Sequence, residues 1–312
     1  MIDTLLSKAK LKSERGARPP AAVELTPEGA LAGALPAPGQ APVFAFAALP
    51  AGALMAGIGE ANLRRPGDVA AALRKALDEV SPRTRFVTLV IPDVAVRVFV
   101  LDFDTLPAKP AEALPVLRFR LRKMVPFDVE QTGLTYQVLS QKKDECRVLA
   151  VILPIAILEE YEAAVRTAGY EPGAVLPSSL AALDATESLE AVLTVNLGET
   201  ALTTTIVNGQ DLLLYRTLDL PEDRERRAAE IRRGVAVAVA YYEDKLGAPP
   251  RQVYYAGRGD AAAFSRWLDG GGCTVFDLAP RPATGATTQL GDASMAGVAG
   301  ALTYRTAPVE VC

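Results

Sequence analysis

The same order of elements occurs twice along this chain. From Ala21, the segments AAVEL, ALAGAL and PVFAFAAL read as three consecutive strands, with turn chemistry at Thr26-Pro27-Glu28-Gly29 between the first two. Pro66-Gly67-Asp68 opens a helix in which Asp68 can cap the first turn. Val69, Leu73, Leu77 and Val80 recur along it at three- and four-residue steps, and FVTLVI from Phe86 resumes the sheet. From Val192 the order returns: VLTVNLG, ALTTTIV, an Asn208-Gly209 turn, DLLLYRT, then a helix with Ile231, Val235, Val239, Tyr242 and Leu246 on one stripe. Asn-Gly between apolar runs is a strong hairpin signal. The strand QVYYAG and a helix containing Phe264, Trp267 and Leu268 complete the second unit. A strand-strand-strand-helix-strand unit repeated at roughly 170 residues is too long for a solenoid and predicts two related α/β lobes. A length of 312 residues, beyond the usual single core, agrees.

An extra segment interrupts the first unit. VAVRVFVLDF alternates as a strand, and after Pro110 a helix carries Leu114, Leu117, Leu121 and Met124 before Pro126 stops it. TYQVL and RVLAVIL read as strands. Pro154 opens a helix with Ile155, Leu158, Tyr161 and Val165 that ends at Gly169. The expected division is a mobile tail over 1–20, a first lobe of 21–94 plus 169–190, an inserted α+β subdomain of 95–168, and a second lobe of 191–312.

Composition removes several function classes. With 33 Lys and Arg against 37 Asp and Glu, the net charge of -4 argues against a nucleic-acid binder. Histidine is absent, which excludes Ser-His-Asp and Cys-His nucleophile pairs, an imidazole base and His-ligated metal. Cys146, Cys273 and Cys312 are too far apart for a zinc or disulfide framework, and Cys312 does not stand four from the end as prenylation requires. No stretch reaches about eighteen uninterrupted apolar residues, so a cytoplasmic protein is expected. The tail carries Lys8, Lys10, Lys12, Arg15 and Arg18, a solvated terminus or a weak attraction for an anionic membrane.

The duplicated plan is that of the actin and Hsp70 ATPase class. Two blocks narrow it: DTLPAKPAEALPVLRFRLRKMVPFDVEQTGLTYQVL, from Asp104, and VLAVILPIAILEEYEAAVRTAGYEPGAVLPSSLAAL, from Val148. The chain resembles the PilM-type pilus-assembly proteins, with the division protein FtsA and the cytoplasmic region of the secretion protein GspL as relatives. The resemblance spans nearly everything after residue 20. It implies a two-lobed actin-like, ribonuclease H-like duplicated fold. It also implies a cytoplasmic adaptor, at the inner face of the inner membrane, that grips the N-terminal peptide of a PilN-like single-pass protein, with pilus motor ATPase components as further partners. A GspL-like secretion component and an actin/Hsp70-class ATP-binding phosphotransferase are the competing readings.

The superfamily's cofactors are ATP and magnesium, held between two phosphate turns. Against that pattern the first turn, VELTPEG, has Glu24 in place of Asp and Thr26 in place of Gly, and Pro27 removes a backbone donor. The second has Asn196-Leu197-Gly198, an amide in place of a metal-organising carboxylate, followed by Thr200. In Ala256-Gly257-Arg258-Gly259, Arg258 interrupts the glycine pair that would admit a purine. Nucleotide binding is therefore expected to be weak or lost, with no catalytic residue. Glu24 and Asn196 can equally satisfy strand-end backbone groups, and Gly198, Gly257 and Gly259 can equally serve tight turns.

Two further features concern partners. Arg118 and Arg122 share a helix face that suits acidic lipid or an acidic partner, or is simply solvated. The partner peptide is expected between the insert and the first lobe, along the strand of Val96, Val98 and Val100 or beside Leu114 and Phe127, unless Phe127 plugs the subdomain core.

Overall fold

A computed structural model describes residues 18–37, 40–186, 190–209, 211–268, 273–279 and 293–303. Most of the expected tail, and Cys312, lie outside the described residues.

The first lobe begins with β1 (Ala21–Thr26), β2 (Gly29–Ala34) and β3 (Val43–Ala48), then α1 (Pro66–Val80) and β4 (Phe86–Ile91). Helix α1 starts at Pro66, whose missing N–H is harmless at a first helical position. Asp68 lies inside the first turn, where it pairs with Arg65 at 2.5 Å; it does not serve as the N-cap. The insert supplies β5 (Arg97–Phe103), α2 (Pro110–Leu121), β6 (Thr132–Lys142) and β7 (Glu145–Pro154). The chain returns through α3 (Ile155–Thr167), β8 (Glu171–Pro177) and α4 (Ser178–Leu183). The second lobe contains β9 (Val192–Leu197), β10 (Ala201–Asn208), β11 (Asp211–Asp219), α5 (Arg224–Leu246), β12 (Gln252–Tyr255), α6 (Ala261–Ser265) and β13 (Thr274–Asp277). Helix α7 (Ala296–Thr303) follows.

The duplication is explicit in the sheets. The first runs β3-β2-β1-β4-β8 and the second β11-β10-β9-β12-β13. In each, the three leading strands are antiparallel and the last two join in parallel. Leu73, Leu77 and Val80 of α1 and Ile157, Tyr161 and Val165 of α3 pack over Val23, Leu25 and Leu89 in one core. Ile231, Val235 and Ala238 of α5 cover Leu193, Val195 and Val253 in the other.

Two segments pack away from the span in which the sequence reading placed them. Helix α3, at the end of 95–168, belongs to the first lobe's core, so the insert proper is the sheet β5-β7-β6 with α2 on one face. Helix α7, within 191–312, crosses back to pack Met295, Val298 and Leu302 against Ala22, Leu31 and Val90 of the first sheet. Helix α2 ends at Leu121, earlier than Pro126, and the chain runs on in turns whose Met124 and Val125 amides donate to the Leu121 carbonyl, while Arg118 turns inward to donate to the Val129 carbonyl and to Thr132.

Candidate functional site

Strands β1 and β9 occupy the same place in their sheets, and their ends face one another across the cleft. Alternation along β1 puts Val23 and Leu25 in the core and turns Glu24 to the opposite side, toward α4 and α7. Glu24 is 4% exposed. Its Oε1 accepts from Ser178 Oγ at 2.5 Å, and Oε2 has no partner. A Cβ on residue 297 would lie 2.5 Å from that oxygen, so only glycine lets α7 pass here.

From Glu24 a hydrogen-bonded chain crosses the cleft. Asn196 Nδ2, on β9, donates to Ser178 Oγ and Ser179 Oγ, both at 3.1 Å, and more loosely to Asp93 Oδ2 at 3.4 Å. Asp93, just beyond β4, also accepts from the Ser179 amide at 2.9 Å, from the Ser179 hydroxyl, and from Tyr215 of β11 at 3.0 Å. Burial pushes Glu24 up to about 7, against the lowering effect of Ser178, with the charges of Asp93 and Glu28 adding to the rise. Burial also raises Asp93, although Ser179 and Tyr215 hydrogen-bond to its charged form.

The two phosphate-type turns are closed on themselves. Thr26 pairs with Gly29 around Pro27-Glu28, and Thr26 Oγ1 donates to the Gly29 carbonyl at 3.3 Å. In the second turn the Gly198 amide donates to the Ala201 carbonyl at 2.9 Å, and Leu220 N donates to the Thr200 carbonyl at 2.8 Å. Arg227 donates to the Gly198 carbonyl at 3.0 Å. A Cβ at Gly257 would fall 2.3 Å from Leu197 N, so this glycine serves the crossing of β9, while Gly259 adopts a left-handed φ of 80°. Arg258, between them, reaches the other lobe and pairs with Glu28 at 2.9 Å. The adjoining cavity, bounded among the described residues by Tyr255, Gly257, Asp277 and Met295, encloses about 10 Å³. That is the room of about one water.

A nucleotide and its metal would need free donors and free oxygens at these positions. Asn196 presents its NH2 to the network, the spare oxygen of Glu24 is turned to the backbone of α7, and the Gly198 amide is occupied. Among the described residues no group of three or more Asp, Glu, Cys or His could hold a metal ion. The donor set does not fit magnesium and phosphate, and no reaction step follows from it.

The residues named from sequence for a partner do not form one surface. Val96 is buried in the first lobe's core, and Leu114, on α2, and Phe127 pack against the insert's core with Leu117 and Leu121. Val98 and Val100 lie on the opposite, open face of the inserted sheet, beside their register partners Val151 and Leu149. All four are half-buried, and Val98 and Val151 run on to Val175 of β8 at the junction with the first lobe. The outer edge of β5 lies beside β11, with Asp219 in electrostatic reach of Arg97, so the sheet face is more accessible than that edge. Sequence reasoning missed Leu149 and Val151, although the alternation of RVLAVIL marks them as the face opposite Val148 and Ala150.

Two like sheets, joined by a buried polar cleft and carrying an insert in the first lobe, define a two-lobed actin-like fold. Its arrangement is similar to that of a chain in a solved PilM-PilN complex. A chain of a solved PilM-PilN type IV pilus biogenesis complex superposes with a TM-score of 0.74 over 94% of this chain and 100% of its own, at 18% identity. The cytoplasmic domain of EpsL, an inner-membrane component of the Vibrio cholerae type II secretion system, matches 76% of this chain and 81% of its own at 14% identity and a TM-score of 0.48. A Bacteroides thetaiotaomicron protein with an actin-like ATPase fold matches 80% and 85% at 9% identity and a TM-score of 0.43. No family model and no curated protein matches the sequence. No helix of the described residues is long and apolar enough to cross a membrane.

Proposed function

We propose that this chain is a non-catalytic adaptor on the cytoplasmic side of the inner membrane, within a type IV pilus assembly platform. It holds the N-terminal peptide of a PilN-like, single-pass membrane protein. The observation that carries the reading is the likeness to a chain of the PilM-PilN complex, which extends over nearly the whole molecule and includes the insert. The peptide lies across the open sheet face of Val98, Val100, Leu149 and Val151, an apolar strip at the junction with the first lobe. Burying such a strip under an extended segment is a recurrent way of gripping a peptide. Motor components engage other surfaces, and membrane association through this site runs by way of the partner.

On the same reading ATP and magnesium bind weakly or not at all, because Glu24, Asn196 and Arg258 are committed to Ser178, Asp93 and Glu28. The test is a pull-down with the N-terminal peptide of the neighbouring single-pass protein. Val98→Asp with Val151→Asp should reduce capture at least tenfold after circular dichroism confirms folding, whereas Val138→Asp, already 41% exposed on β6, should not. Undiminished capture by the double variant would place the peptide elsewhere.

A further inference from the structure

Helix α2 is apolar on both sides. Ala113, Leu117 and Leu121 form the stripe buried against the inserted sheet. Phe119, two residues from both leucines, points the other way and is 70% exposed. Val116, 37% exposed, and Met124, just past the helix and 43% exposed, extend the outward patch. A helix that serves only to cover its own sheet has no need of a second apolar face.

Charge selects what covers it. Over 109–124 the chain carries five cations, Lys109, Arg118, Arg120, Arg122 and Lys123, against Glu112 alone, within a molecule whose net charge is -4. Arg118 is turned into the loop at Val129 and Thr132, Arg122 pairs with Glu130 at 2.9 Å and Lys109 with Glu112 at 3.4 Å. The cationic face expected at Arg118 and Arg122 is therefore displaced to Arg120 and Lys123, which are exposed beside Phe119 and have no carboxylate partner among the described residues. A second copy of the same face would bring like charges together. A projecting phenyl ring with two free cations beside it is the chemistry of an interfacial contact with acidic headgroups.

We propose that the outward face of α2, centred on Phe119, Arg120 and Lys123, rests directly on an anionic lipid surface. The contact is weak by itself, since a short patch gives one of the two signals that stable membrane attachment requires. It adds a direct lipid contact to the attachment through a partner, and does not depend on the peptide site.

The experiment uses the full chain and vesicles of phosphatidylcholine with or without phosphatidylglycerol, at low salt. Co-sedimentation is expected only with the anionic vesicles and should fall as salt shortens the screening length. Each cation near such a surface is worth about a fivefold gain, so Arg120→Gln with Lys123→Gln should weaken binding roughly 25-fold. Phe119→Ala should weaken it roughly tenfold. Phe119→Trp should shift its emission to the blue on anionic vesicles and be quenched by brominated lipid. All three positions are exposed, so the fold should tolerate these changes. Binding that is equal on both vesicle types, or undiminished in the Arg120/Lys123 and Phe119 variants, would overturn the proposal, the latter by assigning the affinity to the basic N-terminal segment. A Phe119-dependent dimer, or Phe119-dependent capture on polyglutamate, each without vesicle binding, would overturn it in favour of a second copy or an acidic protein.

Discussion

Glu24 is the residue at which the cleft can be titrated. Its carboxyl is held near 7 against an ordinary 4.5, so the folded chain keeps a proton that the unfolded chain releases as pH rises through that window. The stabilisation is complete below about 4.5 and lost by the time pH passes about 7, a difference of roughly 3 kcal/mol. Asp93, also raised by burial, acts in the same direction. Glu24→Gln, which keeps the shape without the charge, should gain stability relative to the parent between pH 5 and pH 8 in urea denaturation. A parent-variant difference that stays constant across that range would mean an ordinary carboxyl. Glu24 and Asn196 were legible in the sequence because they stand at the ends of corresponding strands in a repeated unit. Asp93, Ser178, Ser179 and Tyr215 were not, since their contacts to the network join positions far apart in the chain. A signal was present all the same: Pro92-Asp93 and Pro177-Ser178-Ser179 each follow the carboxyl end of a parallel strand, where α/β sheets gather their polar site residues.

Among the elements, α7 departs furthest from what its sequence suggests. An Ala/Gly-rich helix has no periodic stripe, so nothing in it announces that it crosses from the second lobe to lie on β1 and α4. Its glycines are steric: a Cβ at Gly300 would stand 2.0 Å from the Ala181 carbonyl oxygen. Intrinsic propensity favours alanine over glycine in a helix by about 1 kcal/mol. Gly300→Ala is nevertheless expected to destabilise by about 1–3 kcal/mol, the cost of overpacking, with a lower thermal midpoint. A stabilised variant would show that α7 does not approach α4 this closely. The hairpins and the stripe of α1 are legible in the sequence because turn chemistry and periodicity are local, as at Asn208-Gly209, where Gly209 has a φ of 58°. The extent of the insert was less legible: α3 follows it without a break, and only tertiary packing shows that Tyr161 and Val165 belong to the first lobe.

For the whole molecule, the duplicated sheets bring the ends of two corresponding strands to one cleft, where side chains of both lobes meet. Lobe one contributes Glu24, Asp93, Ser178 and Ser179, and lobe two Asn196 and Tyr215, with Glu28 and Arg258 joining across the cleft. The half-exposed Glu28–Arg258 pair is worth little by itself. Arg258→Ala should therefore lower stability by less than about 1 kcal/mol and leave peptide capture unchanged; a larger loss in denaturation would make that pair, not the buried network, the main tie between lobes. On the proposed function the cleft joins the lobes and does no chemistry. Steady-state phosphate release from ATP with magnesium addresses it most directly. The expected result is a rate no faster than the protein-free background, for the parent and for Glu24→Ala alike. Turnover by the parent that Glu24→Ala abolishes would contradict the claim and make Glu24 a catalytic carboxylate.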